Sequence, residues 1–174
     1  MSTVIDGSAS VTINSGAILG ITSGTAVAST SGTSVTVSTS IPSWVKRVTV
    51  VFQGVSTNGT SNLLVQIGSG SVQTTGYIST VISIDQANGT GGGNATNGFL
   101  LRFGLAAQIG SGHMLLTLIS GNTWVSSHTL KTATNLLSVG GGDVTLAGAL
   151  DRLILTTVNG TDTFDAGSIN ILYE

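Results

Sequence analysis

Apolar residues recur at every second position along this chain, and the clearest run lies in residues 41–61, IPSWVKRVTVVFQGVSTNGTS. Pro42 holds Ile41 extended and blocks a helix before it. Val48, Val50 and Phe52 then fall on one face and Arg47, Thr49 and Gln53 on the other, the pattern of a half-buried strand. Asn58-Gly59 supplies residues able to take positive φ in a tight turn, so this strand is expected to double back onto residues 63–67. Near the C-terminus Ile169, Ile171 and Tyr173 alternate with Asn170 and Glu174, which makes them natural partners for Val48, Val50 and Phe52.

Similar alternation marks further strands. Val35 and Val37 alternate with Ser34 and Thr36, Ile78, Ile82 and Ile84 oppose Tyr77, Ser79 and Ser83, and Phe99, Leu101, Phe103 and Leu105 oppose Arg102. Met114, Leu116 and Leu118, residues 124–130, Val144 with Leu146, and Leu153 with Leu155 continue the series. About ten short strands without helical periodicity predict an all-β fold, an antiparallel β-sandwich of jelly-roll-like kind over residues 31–174. Glycine-rich stretches at 68–70, 91–93, 110–112, 121–122, 140–142 and 159–160 are expected to be its turns. The nearly apolar-free stretch 85–98 is expected as an outward, mobile loop. Residues 1–30 hold short apolar pieces interrupted by Gly7, Gly16, Gly20 and Gly24. Too small to fold alone, they are expected as an N-terminal arm lying on the domain or on a neighbouring subunit, with a flexible tail as the alternative.

Composition sharpens this picture at the surface. The 174 residues (17.4 kDa) suit one domain, with roughly 69% of the extended-chain surface buried on folding. Cysteine is absent, which excludes disulfides, thiolate metal sites and a cysteine nucleophile. Only 7% of residues are charged, where a soluble domain has about 25%, and the mean hydropathy is +0.45. Such a surface suits a free monomer poorly, so homo-oligomerisation is expected. A net charge of −2, with Lys46, Arg47, Arg102, Lys131 and Arg152 as the fixed cations, cannot track a phosphate backbone, so nucleic acid is not an expected partner. No apolar run approaches the ~18 residues of a membrane span, and the first residues, MSTVIDGSAS, do not resemble a signal peptide. A product made without cleavage and with no membrane partner is expected.

Candidate chemistry is sparse. Asp162 and Asp165, in NGTDTFDAG, are spaced too simply for a calcium loop and are expected to satisfy amides of their own turn. A hydrolase triad could be drawn from Ser126 or Ser127, His128 and Asp143, but no Gly-x-Ser-x-Gly elbow is present, and His128, like His113, reads as a histidine on a strand face. The glycine clusters lack the lysine of a phosphate loop. No catalytic residue, metal ligand or cofactor is therefore expected. Trp44, Tyr77, Trp124 and Tyr173 are the candidate ligand or interface aromatics, because such rings stack on sugars but more often fill cores and subunit contacts.

Four blocks carry a resemblance: residues 41–61, QIGSGSVQTTGY at 66–77, SGNTWV at 120–125, and LDRLILTTVNGTDTFDAGSINILYE at 150–174. Over roughly residues 24–174 the chain resembles a domain of tailed-bacteriophage surface proteins, met at the C-terminal end of tail-fibre-like proteins. The resemblance implies a non-enzymatic virion structural protein, a β-sandwich assembled into homotrimers, made in the host cytoplasm and placed on the virion surface beside capsid or tail proteins. Fibre proteins carry long anchoring regions, whereas only about thirty residues precede the domain here, so a capsid-decorating (cement) protein fits as well as a short tail-fibre knob. The alternative is a carbohydrate- or receptor-binding module that recognises host surface glycan, with residues 85–98 and 140–143 as its rim.

Overall fold

The computed structural model describes residues 12–13, 16–17, 20–85, 90–106 and 108–174. In chain order the strands are β1 (Thr12–Ile13), β2 (Gly16–Ala17), β3 (Thr22–Ser23), β4 (Val27–Ala28), β5 (Ser34–Ser38), β6 (Arg47–Thr57), β7 (Leu63–Ser69) and β8 (Ser71–Val72). They continue with β9 (Ile78–Asp85), β10 (Thr90–Ala95), β11 (Phe99–Leu101), β12 (Gly110–Ser120), β13 (Thr123–Ala133), β14 (Leu136–Thr145), β15 (Arg152–Thr157) and β16 (Phe164–Tyr173). The fold is all-β, with every pairing antiparallel. Strand segments outnumber the ten expected, because short pieces such as β3, β4 and β8 extend the sheets at their edges.

Two sheets form the sandwich. The larger has nine strands in the order β10-β9-β14-β13-β12-β6-β16-β3, with β4 also on β16. The smaller has five, in the order β11-β7-β15-β5 with β8 on β7. Ile169 lies opposite Phe52, Ile171 opposite Val50 and Tyr173 opposite Val48, the pairing that the two alternating runs predict. The inward residues of β6, β12 and β16 meet Leu63, Val65, Ile67, Leu153 and Leu155 of the small sheet in one continuous core. A second small core, Leu64, Val81 and Leu100, forms where the β9–β10 wing curls round the β11 edge. Strand β7 is thereby covered on both sides, and six consecutive residues from Leu63 are buried, with the one polar side chain among them, Gln66, donating to the Asn97 carbonyl (2.7 Å).

The expected hairpin between β6 and β7 does not form, because these strands belong to different sheets. Residues 58–62 cross between the sheets instead, held by the turn at the other end of β15. Asn58 N–H donates to the Thr163 carbonyl (3.0 Å), Thr163 N–H donates to Asn58 Oδ1 (2.9 Å), and Ser61 N–H donates to Asp162 Oδ2 (2.9 Å). Gly59 serves close approach rather than turn geometry, since a Cβ there would overlap the Asp162 carboxylate.

Three of the glycine-rich stretches expected as turns also lie inside strands: 91–93 in β10, 110–112 in β12 and 140–142 in β14. At Gly140 a Cβ would run into the His128 ring and the Thr80 carbonyl, and at Gly142 into the Ile78 carbonyl. At Gly110 it would run into the Phe103 ring. The stretch 85–98 likewise contains strand β10, paired along β9 from Thr90 opposite Ile84 to Ala95 opposite Ser79, rather than one long loop. Its residues 86–89 lie outside the described residues.

Part of the expected N-terminal arm is placed. Thr22 and Ser23 pair with Tyr173 and Leu172, while Val27 and Ala28 pair with Ile169 and Ser168, so residues 22–28 run along the β16 edge of their own domain. Ser29 ties the end of this segment down, donating from N–H to the Gly167 carbonyl (2.9 Å) and from Oγ to the Ala166 carbonyl (2.8 Å).

Candidate functional site

The outer face of the large sheet is the surface that stands out chemically. On β9 the alternation is inverted relative to hydropathy: Ser79, Val81 and Ser83 point inward and are buried, while Ile78, Ile82 and Ile84 point outward and are exposed (Ile78 by 69%). Ser79 is inside because β11 ends the small sheet and its outward amides need acceptors, whereas the buried Ser83 hydroxyl makes no hydrogen bond to a described residue. Ser79 Oγ accepts from Leu100 N–H (2.9 Å), and Ser138 Oγ on β14 accepts from Arg102 N–H (3.0 Å). Hydroxyls from one sheet thus close the open edge of the other, since a buried amide without a partner costs roughly 1–3 kcal/mol.

Outward, apolar side chains cluster on β9 and β14, with Thr80, Gly141 and Ser127 forming a polar row within the cluster. Ile84 lies opposite Leu137, Ile82 opposite Val139, and Ile78 opposite Asp143, which faces Val125 on its other side. Further along the same face, Leu115 sits between Ser127 and Thr49, and His113 between Thr129 and Val51. Here the sheet is concave, with a hollow of about 480 Å³ whose lining includes Arg47, Thr49, His113, Leu115 and Val139. Lys131 stands beside Leu137 at one end of the face and Asp143 beside Ile78 at the other. Arg47 is paired with Glu174. The face therefore combines an exposed apolar cluster on β9, β14 and β13 with neutral polar residues and few fixed charges.

Two of the four candidate aromatics are core residues. Trp124 is buried. Tyr77 packs edge-on against Phe99 (5.0 Å between ring centres), donates its hydroxyl to the Ile67 carbonyl and accepts from the Ile67 N–H. Burial pushes its phenol up to about 12, against the opposing effect of the Ile67 hydrogen bond. Exposed Trp44 packs on half-buried Tyr173, with ring centres 5.9 Å apart and planes inclined at 52°. Proline-directed entry into β6 places Trp44, and the last strand places Tyr173, so the ends of the chain's first and last strong strands bring these rings together.

The residues of the sketched triad are separated. Ser126 and His128 point inward, Ser127 outward, and Asp143 lies on the outer face. Ser126 Oγ reaches the Gly142 carbonyl (3.4 Å), while His128 Nε2 lies 3.5 Å from Ser138 Oγ. His128 Nδ1 is buried without a hydrogen bond to any described residue, and burial lowers the ring's pKa to about 4, so it is neutral near pH 7. Asp162 accepts from the Asn159 side-chain amide (2.7 Å) and from Ser61 N–H, which holds its carboxyl below the usual range. Asp162 thus accepts a backbone amide of the 58–62 crossover rather than those of its own turn, which Thr161 and Asp162 donate to Asn159 Oδ1, and Asp165 lies exposed beyond it. Among the described residues no cluster of three or more His, Asp or Glu side chains is placed to hold a metal ion, and no helix is long and apolar enough to cross a membrane.

The residues of the apolar face that alternation alone did not single out include Leu115, Val125, Leu137 and Val139. Their signal is present in the chain, because β12, β13 and β14 carry apolar side chains on both parities. Compared with protein-family models, with curated proteins and with solved structures, the chain finds no match.

Proposed function

We propose that this chain is a non-enzymatic structural protein of a tailed-bacteriophage virion that associates with itself as a homotrimer, decorating the capsid or forming a short tail-fibre knob. The observation that carries the self-association is the outer face of β9, β14 and β13, where Ile78, Ile82, Ile84, Leu137 and Val125 are all exposed. Soluble monomers rarely leave an apolar patch of this breadth in water. Low charge over the whole chain points the same way, and the sequence blocks that resemble phage surface proteins supply the virion context.

Multi-angle light scattering at micromolar concentration tests it, with an expected mass of three times the 17.4 kDa chain. A monomer mass would overturn the proposal. Quantifying the chain in purified virions separates the two placements, since many copies over the shell mean decoration and a few at the tail mean a knob.

A further inference from the structure

A second hollow, of about 320 Å³, lies on the inner side of the β9–β10 wing and is within the roughly 300–1,000 Å³ typical of small-ligand sites. It is built on one row across three strands. Gly91 on β10 lies opposite Ser83 on β9, which in turn lies opposite Ser138 on β14. Arg102 spans that row. Its backbone N–H donates to Ser138 Oγ (3.0 Å), its guanidinium lies over Gly91 where a Cβ would meet it, and Nη1 reaches the Gly92 carbonyl only at 3.4 Å. The remaining guanidinium N–H groups donate to no described residue. Ser83, 5% exposed, lines the hollow between these anchor points, and its Oγ makes no hydrogen bond to a described residue. Gln108 lines it too, with Oε1 fixed by the Gly104 and Leu105 N–H groups and Nε2 donating to no described residue. Leu105 and Leu136 form the apolar lining, and Asp85, which accepts from the Asn135 side-chain amide (2.9 Å), stands at the same hollow.

We infer that this hollow binds a small aliphatic monocarboxylate. A guanidinium presents paired N–H groups in the fork that matches the two oxygens of one carboxylate, and the Gln108 amide and Ser83 hydroxyl add donors for its remaining lone pairs. A buried hydroxyl left unpaired costs stability, and a bound carboxylate supplies the partner that Ser83 lacks. Gly91 makes the arrangement possible, because a side chain there would push the guanidinium away from the row. Asp85 opposes a second negative charge in the same hollow, which favours a monocarboxylate over phosphate or a dicarboxylate. Leu105 and Leu136 favour a hydrocarbon chain behind the carboxylate, and an uncharged ligand would leave the guanidinium unmatched. The hollow lies on the side of β9 opposite Ile82 and Ile84, so it stands or falls apart from the trimer.

The test is titration of the isotope-labelled full chain with hexanoate, followed by NMR and by thermal melting. Saturable shifts are expected at the Arg102 Nε–H, the Gln108 side-chain amide and the backbone amides of Ser83 and Gly91, together with a raised melting temperature. Hexanamide, glutarate and inorganic phosphate should each bind at least about tenfold more weakly. Arg102→Met should weaken hexanoate binding by about tenfold or more. Gly91→Ala provides a second variant that keeps the charge, because its Cβ meets only the flexible guanidinium, and it should weaken binding comparably at unchanged oligomer mass. Ser83→Ala removes a hydroxyl that has no partner in the free chain, so it should leave the unliganded melting temperature unchanged or higher while lowering hexanoate affinity. The inference is overturned if hexanoate gives no saturable shift, if hexanamide or phosphate binds equally well, if Arg102→Met or Gly91→Ala binds normally, or if the shifts map outside this hollow.

Discussion

His128 and Gly140 show how single residues set the terms for their neighbours. The imidazole lies across the strand from Gly140, in space that a Cβ would occupy, and burial lowers its pKa from 6.5 to about 4. Between those two values the unfolded chain holds the proton and the folded chain does not, so folding becomes less favourable as the pH falls. The loss should reach roughly 3 kcal/mol by about pH 4, and His128→Gln should flatten that part of a urea-midpoint profile. The depressed Asp162 carboxyl acts in the same sense at lower pH, because its stabilising contribution is lost as pH falls through its folded-state value. Gly140→Ala places a methyl group against both the His128 ring and the Thr80 carbonyl. The ring can turn, but the carbonyl belongs to the sheet ladder, so about 2 kcal/mol or more should be lost, read as a lower urea midpoint at constant m.

Among the elements, β9 and β11 depend on each other. Strand β11 is only three residues long, Phe99–Leu101, and pairs with β7 on one side alone. Its other side is completed by Ser79 and Ser138. Ser79→Ala and Ser138→Ala should each cost roughly 1–3 kcal/mol and speed hydrogen exchange at the amides of Leu100 and Arg102 respectively, whereas Ser71→Ala, on exposed β8, should do neither. The period-two pattern of β9 was legible as a strand. Which face went inward was not, because hydropathy places Ile inside, while the edge of a distant strand required hydroxyl acceptors there. The β6–β7 turn carries the same lesson. Asn58-Gly59 is a good hairpin signal in isolation, but Asp162, about a hundred positions along the chain, occupies the space beside Gly59 and draws the segment across to the other sheet.

For the whole molecule the decisive property is a surface with little charge and one face that gathers exposed apolar side chains. Ile82→Lys with Ile84→Lys puts two cations on that face without touching the core, so the monomer's stability should change by no more than about 0.5 kcal/mol per site while light scattering shows dissociation. Unchanged assembly would move the subunit contact to another part of the surface. The 7% charge content made a surface poor in charge legible from the sequence, although no single residue marked where its exposed apolar side chains would gather.

By itself the sequence determined the all-β class, the strands with their alternation, and the partnership of Val48, Val50 and Phe52 with Ile169, Ile171 and Tyr173, since period-two patterning and matched apolar runs are local properties of the chain. Of the candidate aromatics it identified all four but could not sort them, and tertiary structure put Tyr77 and Trp124 in the core and brought Trp44 to Tyr173 at the rim. Tertiary structure alone also decided that β6 and β7 lie in different sheets, that the glycines of β14 make room for a ring and for neighbouring carbonyls, and that the isoleucines of β9 face outward. Each of these depends on groups far apart in sequence whose hydrogen bonds and volumes must be satisfied together, and no local pattern records that requirement.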